Sequence, residues 1–272
     1  MAGINAASYE QFAPFYAALT RATGRTQREA DLLVELLERF GVNPDAAILD
    51  LGCGPGAVLR ELGARGYSRL HGVDVAEHMV THARRQAPSA HVARVSWMHL
   101  HDAFASVSPF LAVYSLSQTI THADTAEIPT VCAQVARSLE PGGYFFIDVR
   151  AWHEDSQGNR IEPNRPPHVW RLGPLIQVPV GSYWIDDRCW YEGGRQHVQY
   201  RFRRKTPGDT GWDTEQTFRV SYNTLDCDEY VAMLRASGFE HVDVLMHKDW
   251  PYLIIAARAL SSPSDSRVRP DG

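Results

Sequence analysis

Cysteine is scarce in this chain, with four residues in 272 (Cys53, Cys132, Cys189 and Cys227). No C-x-x-C pair occurs among them, which argues against the common zinc and redox motifs. Cys53 and Cys132 sit in apolar contexts, as buried free thiols of a reducing compartment do. No Lys/Arg-rich run stands out and the net charge is −5, so no nucleic-acid partner is expected. The densest basic stretch, residues 201–205, alternates with apolar residues and reads as a solvated strand face. The N-terminus has no basic segment leading into an apolar stretch, and no apolar run is long enough to span a bilayer. A cytoplasmic chain with no membrane partner is the expectation. No internal repeat is visible.

What is present is ordinary globular composition, 44% hydrophobic and 22% charged, in a length that suits one large domain with a real core. Residues 7–20 form an aromatic amphipathic segment with Tyr9, Phe12, Phe15 and Tyr16. A helix follows, with Thr26 and Glu29 in a capping-box pattern, Leu32, Leu33, Leu36, Leu37 and Phe40 at helical spacing, and Gly41 as its stop. Strands are expected over 47–51, 69–74, 93–100, 110–116 and 144–149, with helices between them. That alternation predicts an α/β fold with a parallel sheet and crossover helices. Residues 151–176 read as a long loop, and 177–222 as antiparallel strands. A helix over 228–237 and strands over 241–246 and 252–257 complete the main sheet. The expectation is one Rossmann-like domain over residues 1–260, an antiparallel β insertion at about 151–222 over the mouth of the sheet, and a disordered Ser/Pro/Asp/Arg-rich tail at 261–272.

The strongest local signal is Ile48-Leu49-Asp50-Leu51-Gly52-Cys53-Gly54-Pro55-Gly56. Glycines at the carboxyl end of a first strand let the backbone approach a ligand. The spacing departs from G-x-G-x-x-G, which suits a pyrophosphate; a ligand with an amino-acid moiety and no phosphate fits better. Asp74 ends the next strand about 20 residues on, where a ribose-binding acid belongs. A nicotinamide site and a tight turn with no ligand are the rival readings. These residues resemble motif I and the following acidic position of the class I S-adenosylmethionine methyltransferases. The resemblance implies a cofactor site built from Asp50, Gly52, Cys53, Gly54, Asp74, Val75 and Met79.

Several further stretches are similar to the glycine/sarcosine N-methyltransferase family, over most of residues 9–240. Arg25, in Gly24-Arg25-Thr26, matches an arginine that pairs with the methionine carboxylate of the cofactor. Ser96-Trp97-Met98 resembles a stretch that packs on adenine. In Leu116-Ser117-Gln118-Thr119-Ile120-Thr121-His122, the resemblance puts Leu116 on adenine, Gln118 toward the substrate and His122 near the methionine end. Arg150, after Asp148-Val149, matches an arginine that binds a substrate carboxylate, and guanidinium is a good bidentate partner for that group. Tyr222, in Phe218-Arg219-Val220-Ser221-Tyr222, matches a tyrosine near the sulfonium; Tyr9 and Tyr16 are looser candidates. Two other family tyrosines fall on Trp170 and Phe202, which implies a larger or more apolar substrate than glycine.

A core role for Trp97, a structural His122 and an Asp148-paired or surface Arg150 stay open. The implied reaction is in-line methyl transfer from S-adenosylmethionine, leaving S-adenosylhomocysteine, to a small carboxylate-bearing amine. Tyr222, Gln118 and His122 would do the catalytic work, and Arg150, Tyr16 and Trp170 would bind the substrate. O- or C-methylation of a larger small molecule and a non-catalytic cofactor-binding module are the alternatives. His99-x-His101 lacks a third ligand, so no metal is expected. A monomer or homodimer is expected.

Overall fold

The computed structural model describes residues 4–105, 107, 109–156, 158, 160–163, 165–179, 181–204 and 213–260. The tail expected at 261–272 and Lys205 lie outside them.

Helical spacing of apolar residues builds α1 (Ile4–Ala22) and α2 (Arg25–Arg39). Leu32, Leu33, Leu36 and Leu37 are the buried face of α2, and Gly41, at φ 73, stops it. The Thr26/Glu29 capping box does not form. Gly24, at φ 64, takes the N-cap position two residues earlier, and no side chain caps the helix. The Glu29 carboxylate instead accepts the Ser117 hydroxyl.

The alternation that follows is β1 (Ala47–Leu51), α3 (Ala57–Ala64), β2 (Arg69–Asp74), α4 (Glu77–Gln86), β3 (His91–Arg94), α5 (Leu100–Ala103), β4 (Phe110–Ser115), α6 (Ile128–Ser138) and β5 (Leu139–Val149). Every residue of β1 is buried, as a strand covered by helices on both faces requires. The third strand is shorter than expected and ends at Arg94. Ser96 then caps a 3-10 turn, Trp97–His99, by accepting from the Met98 amide, and this turns the chain out of the sheet. After β5 come a small hairpin, β6 (His153–Glu154) and β7 (Arg160–Ile161), and the strands β8 (Arg171–Val178), β9 (Gly181–Glu192), β10 (Arg195–Arg204) and β11 (Asp213–Asn223). Helix α7 (Cys227–Ala236), β12 (Phe239–Leu245) and β13 (Leu253–Ala259) close the chain.

Seven strands form the main sheet in the order β12-β13-β5-β4-β1-β2-β3. β13 is antiparallel to both neighbours, while β1 pairs in parallel with β2 and β4. The order reverses between β1 and β4, so the crevice beyond their carboxyl ends is the expected ligand position. This is the Rossmann-like α/β sheet read from the sequence. The second sheet, β11-β10-β9-β8, is antiparallel. Strand alternation sends Cys189, Val198, Phe202, Val220 and Tyr222 to its buried side. There Ile185, Phe202 and Phe218 enclose Phe12 and Phe15 of α1. Each such side chain, fully buried, contributes roughly 1.5–3 kcal/mol, so α1 is firmly bound to the second sheet. Its other side, through Ala13, packs on Ala76 and Met79 at the start of α4, which flanks the first sheet. Helix α1 thereby bridges the two sheets over the crevice.

A candidate methyl-transfer site

The turn after β1 is built by three glycines in the left-handed region: Gly52 (φ 98), Gly54 (φ 51) and Gly56 (φ 79). Gly56 also lets α3 approach α4, since a Cβ there would lie 2.8 Å from the Ala83 Cα. The Gly52 and Cys53 amides both donate to the Val73 carbonyl at 2.9 Å, tying the turn to the end of β2. Asp74 then organises the loop. Its Oδ2 accepts the Gly54 amide at 3.0 Å and its Oδ1 the Ala76 amide at 2.9 Å. Burial raises the Asp74 carboxyl to about 6, against the lowering pull of these amides. The Val75 amide acts on the same carboxylate, and the acceptor capacity that remains is open to a hydroxyl donor.

Trp97 stands beside this turn, its ring 3.4 Å from where a Gly52 Cβ would project. Leu116 is buried in the same apolar cluster as Cys53, and Met79 in one with Tyr9 and Tyr16. Asp50 is buried and accepts the Tyr114 hydroxyl at 2.8 Å. The Val75 carbonyl accepts Arg94 Nε at 3.0 Å. Burial pushes the Cys53 thiol up, so it is an inert wall rather than a nucleophile.

Residues 117–118 form a strained turn at the end of β4, with Ser117 at φ 59 and Gln118 at φ 63. Left-handed backbone at non-glycine residues is costly and needs outside support. Asp148 supplies it: its carboxylate accepts the Ser117 amide at 3.0 Å, the Gln118 amide at 2.6 Å and the Trp250 indole N–H at 2.8 Å. Arg25 reaches the same turn, donating from Nε to Ser117 Oγ at 3.0 Å and from Nη2 to the Ser117 carbonyl at 2.9 Å. The short helix Thr119–His122 follows and delivers His122.

The protonation pattern at His122 follows from its partners. Nδ1 lies 3.1 Å from the Ser221 carbonyl, which only accepts, so Nδ1 carries the proton. Nε2 is then the acceptor for the Tyr9 hydroxyl at 3.0 Å. Burial holds His122 down to about 4, so the ring is neutral near pH 7. Its face packs on Tyr222, with centroids 4.5 Å apart. Tyr9 packs edge-on against Tyr16 at 5.9 Å, and Tyr16 lies 3.8 Å from a Cβ position at Gly54. Burial pushes the Tyr9 and Tyr16 hydroxyls up. A continuous aromatic wall therefore runs from the glycine turn to His122 and Tyr222.

Arg150 is 7% exposed and already has an anionic partner. Its Nη1 lies 2.6 Å from Glu162 Oε2 and also donates to Gln196 Oε1, while Nε donates to Gln118 Oε1. The rings of Tyr222, Trp152 and Tyr252 surround the guanidinium at 5.0–5.9 Å. Asp148, the pairing partner considered from the sequence, is instead occupied by the 117–118 turn. With Gln118 Oε1 committed to Arg150, Gln118 Nε2 is buried and has no hydrogen-bond partner among the described residues.

The structure thus gathers Tyr9, Tyr16, Arg25, Gln118, His122, Arg150 and Tyr222 around one crevice, next to Gly52, Gly54, Asp74, Ser96 and Trp97. It does not bring Trp170 there. The Trp170 ring lies over Arg201 at 4.0 Å and Arg188 at 4.8 Å, on the side of the second sheet opposite Val198 and Phe202. The 201–204 stretch is also not simply solvated: Arg201 and Arg203 pair with Asp186, which is 3% exposed. Four contributors escaped the sequence reading, namely Glu162, Gln196, Tyr191 and Tyr252. Glu162 lies in irregular chain with no motif around it; Tyr252 precedes a strand whose facing the sequence leaves open.

Residues 48–143 match a family described as a methyltransferase domain. The fold is that of the class I methyltransferases. It is 26% identical over 157 residues to the trans-aconitate 2-methyltransferase of Azoarcus sp. (strain BH72), covering 56% of this chain and 59% of that protein. It is 30% identical over 109 residues to a Streptomyces venezuelae dTDP-3-amino-3,4,6-trideoxy-alpha-D-glucopyranose N,N-dimethyltransferase, covering 39% of this chain and 43% of that one. The chain spans about half the length of the curated relatives it matches. In fold, the chain resembles CalS10, an amino pentose methyltransferase of Micromonospora echinaspora solved with S-adenosylmethionine bound. The TM-score is 0.72 at 21% identity, over 90% of this chain and 96% of that one.

Proposed function

We propose that the protein is an S-adenosylmethionine-dependent methyltransferase that methylates an amine on a polar small molecule. The glycine turn and Asp74 fit the cofactor: the carboxylate keeps lone pairs for the ribose hydroxyls, and Trp97 and Leu116 flank the place for adenine. Arg25, firmly protonated beside Tyr16 and Glu29 despite its burial, would hold the methionine carboxylate. When bound, the cofactor supplies a methyl group on a cationic sulfur.

The observation that carries the choice of nitrogen is the protonation state of the crevice. A hydroxyl acceptor needs a base to remove its proton, whereas a neutral amine brings its own lone pair. His122 at about 4 is a poor base: taking a proton from an ammonium of ordinary pKa costs roughly 1.4 kcal/mol for each unit of difference. The Tyr9 and Tyr16 hydroxyls, pushed up, do not ionise near neutrality. His122 is therefore a positioning residue. It accepts a hydrogen bond from the Tyr9 hydroxyl, which leaves the Tyr9 oxygen free to accept in turn, and its neutral ring does not repel a cationic sulfur. Tyr222 closes the opposite face. Orientation of this kind supplies several kcal/mol of a methyl-transfer barrier.

The N-methyltransferases among the relatives and fold neighbours support this reading. The carboxylate anchor expected at Arg150 is weakened, because Glu162 already neutralises it. The test is release of S-adenosylhomocysteine against a panel of amino sugars, other hydroxylated amines, amino acids and hydroxy acids. Turnover confined to amines supports the reading; turnover only on hydroxyl or carboxylate acceptors overturns it.

A further inference from the structure

The guanidinium of Arg150 is buried at the end of β5 beside Gln118 and Tyr222, and a carboxylate of the chain itself is already paired with it. Glu162 follows β7, outside the main sheet, and reaches 2.6 Å from Arg150 Nη1. It is held from behind. Its amide donates to Tyr191 Oη at 2.9 Å. Its Oε2 also accepts Gln196 Nε2 at 3.1 Å and Arg165 Nη1 at 3.2 Å. Arg165 is in turn paired with Asp187. Two residues before Glu162, Arg160 is pinned to Asp226 and Glu229 at the start of α7. The side chain therefore cannot swing away without breaking several charge-assisted bonds.

We propose that Glu162 is a specificity-determining residue that fills the carboxylate position of Arg150 from within the chain, so that the acceptor is a hydroxylated amine lacking a carboxylate beside its nitrogen. The inference rests on the methyltransferase reading above. An incoming carboxylate would stand next to Glu162 in a buried site, and like charges there repel strongly. Burial opposes the charge on Glu162, but Arg150 and Arg165 outweigh it and keep the group ionised. Gln118 Nε2, buried and without a partner among the described residues, is a neutral donor suited to a hydroxyl or carbonyl oxygen of the substrate. Gln118 in turn is fixed by Arg150, so Glu162 also sets which way that amide points.

The experiment titrates acetate and glycine into the full chain by calorimetry and thermal shift, with S-adenosylhomocysteine titrated in parallel. It uses the unaltered protein, Glu162→Gln, Glu162→Ala and Glu162→Ala/Arg150→Ala. The unaltered protein is expected not to bind either carboxylate at millimolar concentration. Glu162→Ala should gain at least about tenfold in affinity, the scale of one charge-assisted hydrogen bond, and the double variant should lose that gain. Glu162→Gln keeps the packing and should gain in the same direction, which covers the case where the alanine variant fails to fold. Arg150-dependent carboxylate binding by the unaltered protein would overturn the proposal, as would folded Glu162 variants that gain nothing. Failure to bind S-adenosylhomocysteine would instead count against the cofactor reading and leave the carboxylate result readable.

Discussion

Replacing Gly56 with alanine tests whether the glycine turn is shaped by close approach of two helices as well as by its backbone angles. At φ 79 an alanine carries the left-handed penalty, about 1–2 kcal/mol. A second cost comes from packing. The new Cβ would lie 2.8 Å from the Ala83 Cα and 2.9 Å from its Cβ, against ordinary contacts of 3.4 Å or more. Backbone is on the other side, so α3 and α4 must part by about half an ångström, an overpacking cost of roughly 1–3 kcal/mol. The sum is about 2–5 kcal/mol, or roughly 4–20 °C in melting temperature for a chain of this size. Gly41→Ala is the control: it has φ 73 and nothing within 4 Å of the new Cβ, so only the backbone cost applies, roughly 2–8 °C. Parting the helices also shifts the loop that Asp74 holds, so Gly56→Ala should weaken S-adenosylhomocysteine binding by at least about tenfold, and Gly41→Ala should leave it unchanged. Thermal melts and calorimetry on both variants decide it. Equal melting shifts, or intact binding in Gly56→Ala, would refute the close-approach argument.

Four other outcomes are expected. Because Asp74 titrates at about 6 and its ionised form is the better acceptor for ribose hydroxyls, S-adenosylhomocysteine affinity should fall as pH drops through 6; in Asp74→Asn it should be weak and flat with pH. Tyr9→Phe and His122→Asn should each lower kcat by about 10- to 100-fold through lost positioning, with no change in the shape of the pH–rate profile between 6 and 8; loss of an acid limb in His122→Asn would show that the imidazole takes the proton after all. Trp170→Ala should leave turnover unchanged and cost about 0.5–2 kcal/mol of stability from its stacking on Arg201 and Arg188, read by thermal melts. Finally, burial holds His71 down to about 4, so the folded protein binds that proton less readily than the unfolded chain. The stability it contributes is present above about 6.5 and is lost as pH falls toward 4; His71→Phe should flatten melting temperature across that window.

The features legible in the sequence are those whose physics is local. A buried strand ending in glycines, with an acid closing the next strand, marks the turn and Asp74 without any long-range information, and the β-α alternation then implies the sheet. The capping box failed for a local reason as well: Gly24 already provides the left-handed residue that starts α2, which freed Glu29 for Ser117. Residues 93–100 read as a strand by composition, but Ser96 offers its hydroxyl to the Met98 amide and the chain turns. The contacts that define the chemistry are not local. Tyr9 and His122 are 113 residues apart, and no spacing rule joins them. Trp170 is assigned to the substrate only by resemblance to a family tyrosine position, and because it precedes β8 the two-residue alternation that assigns sheet faces has no fixed phase there to check it. Arg150 was found, but its partner Glu162 comes from irregular chain, where neither period nor motif points anywhere.

The measurement that tests the central claim most directly is calorimetric titration of the purified protein with S-adenosylhomocysteine, alongside Asp74→Asn. One-to-one micromolar binding that weakens at least about tenfold in the variant is the predicted result. A folded protein that shows no saturable binding, or binding indifferent to Asp74, would contradict it.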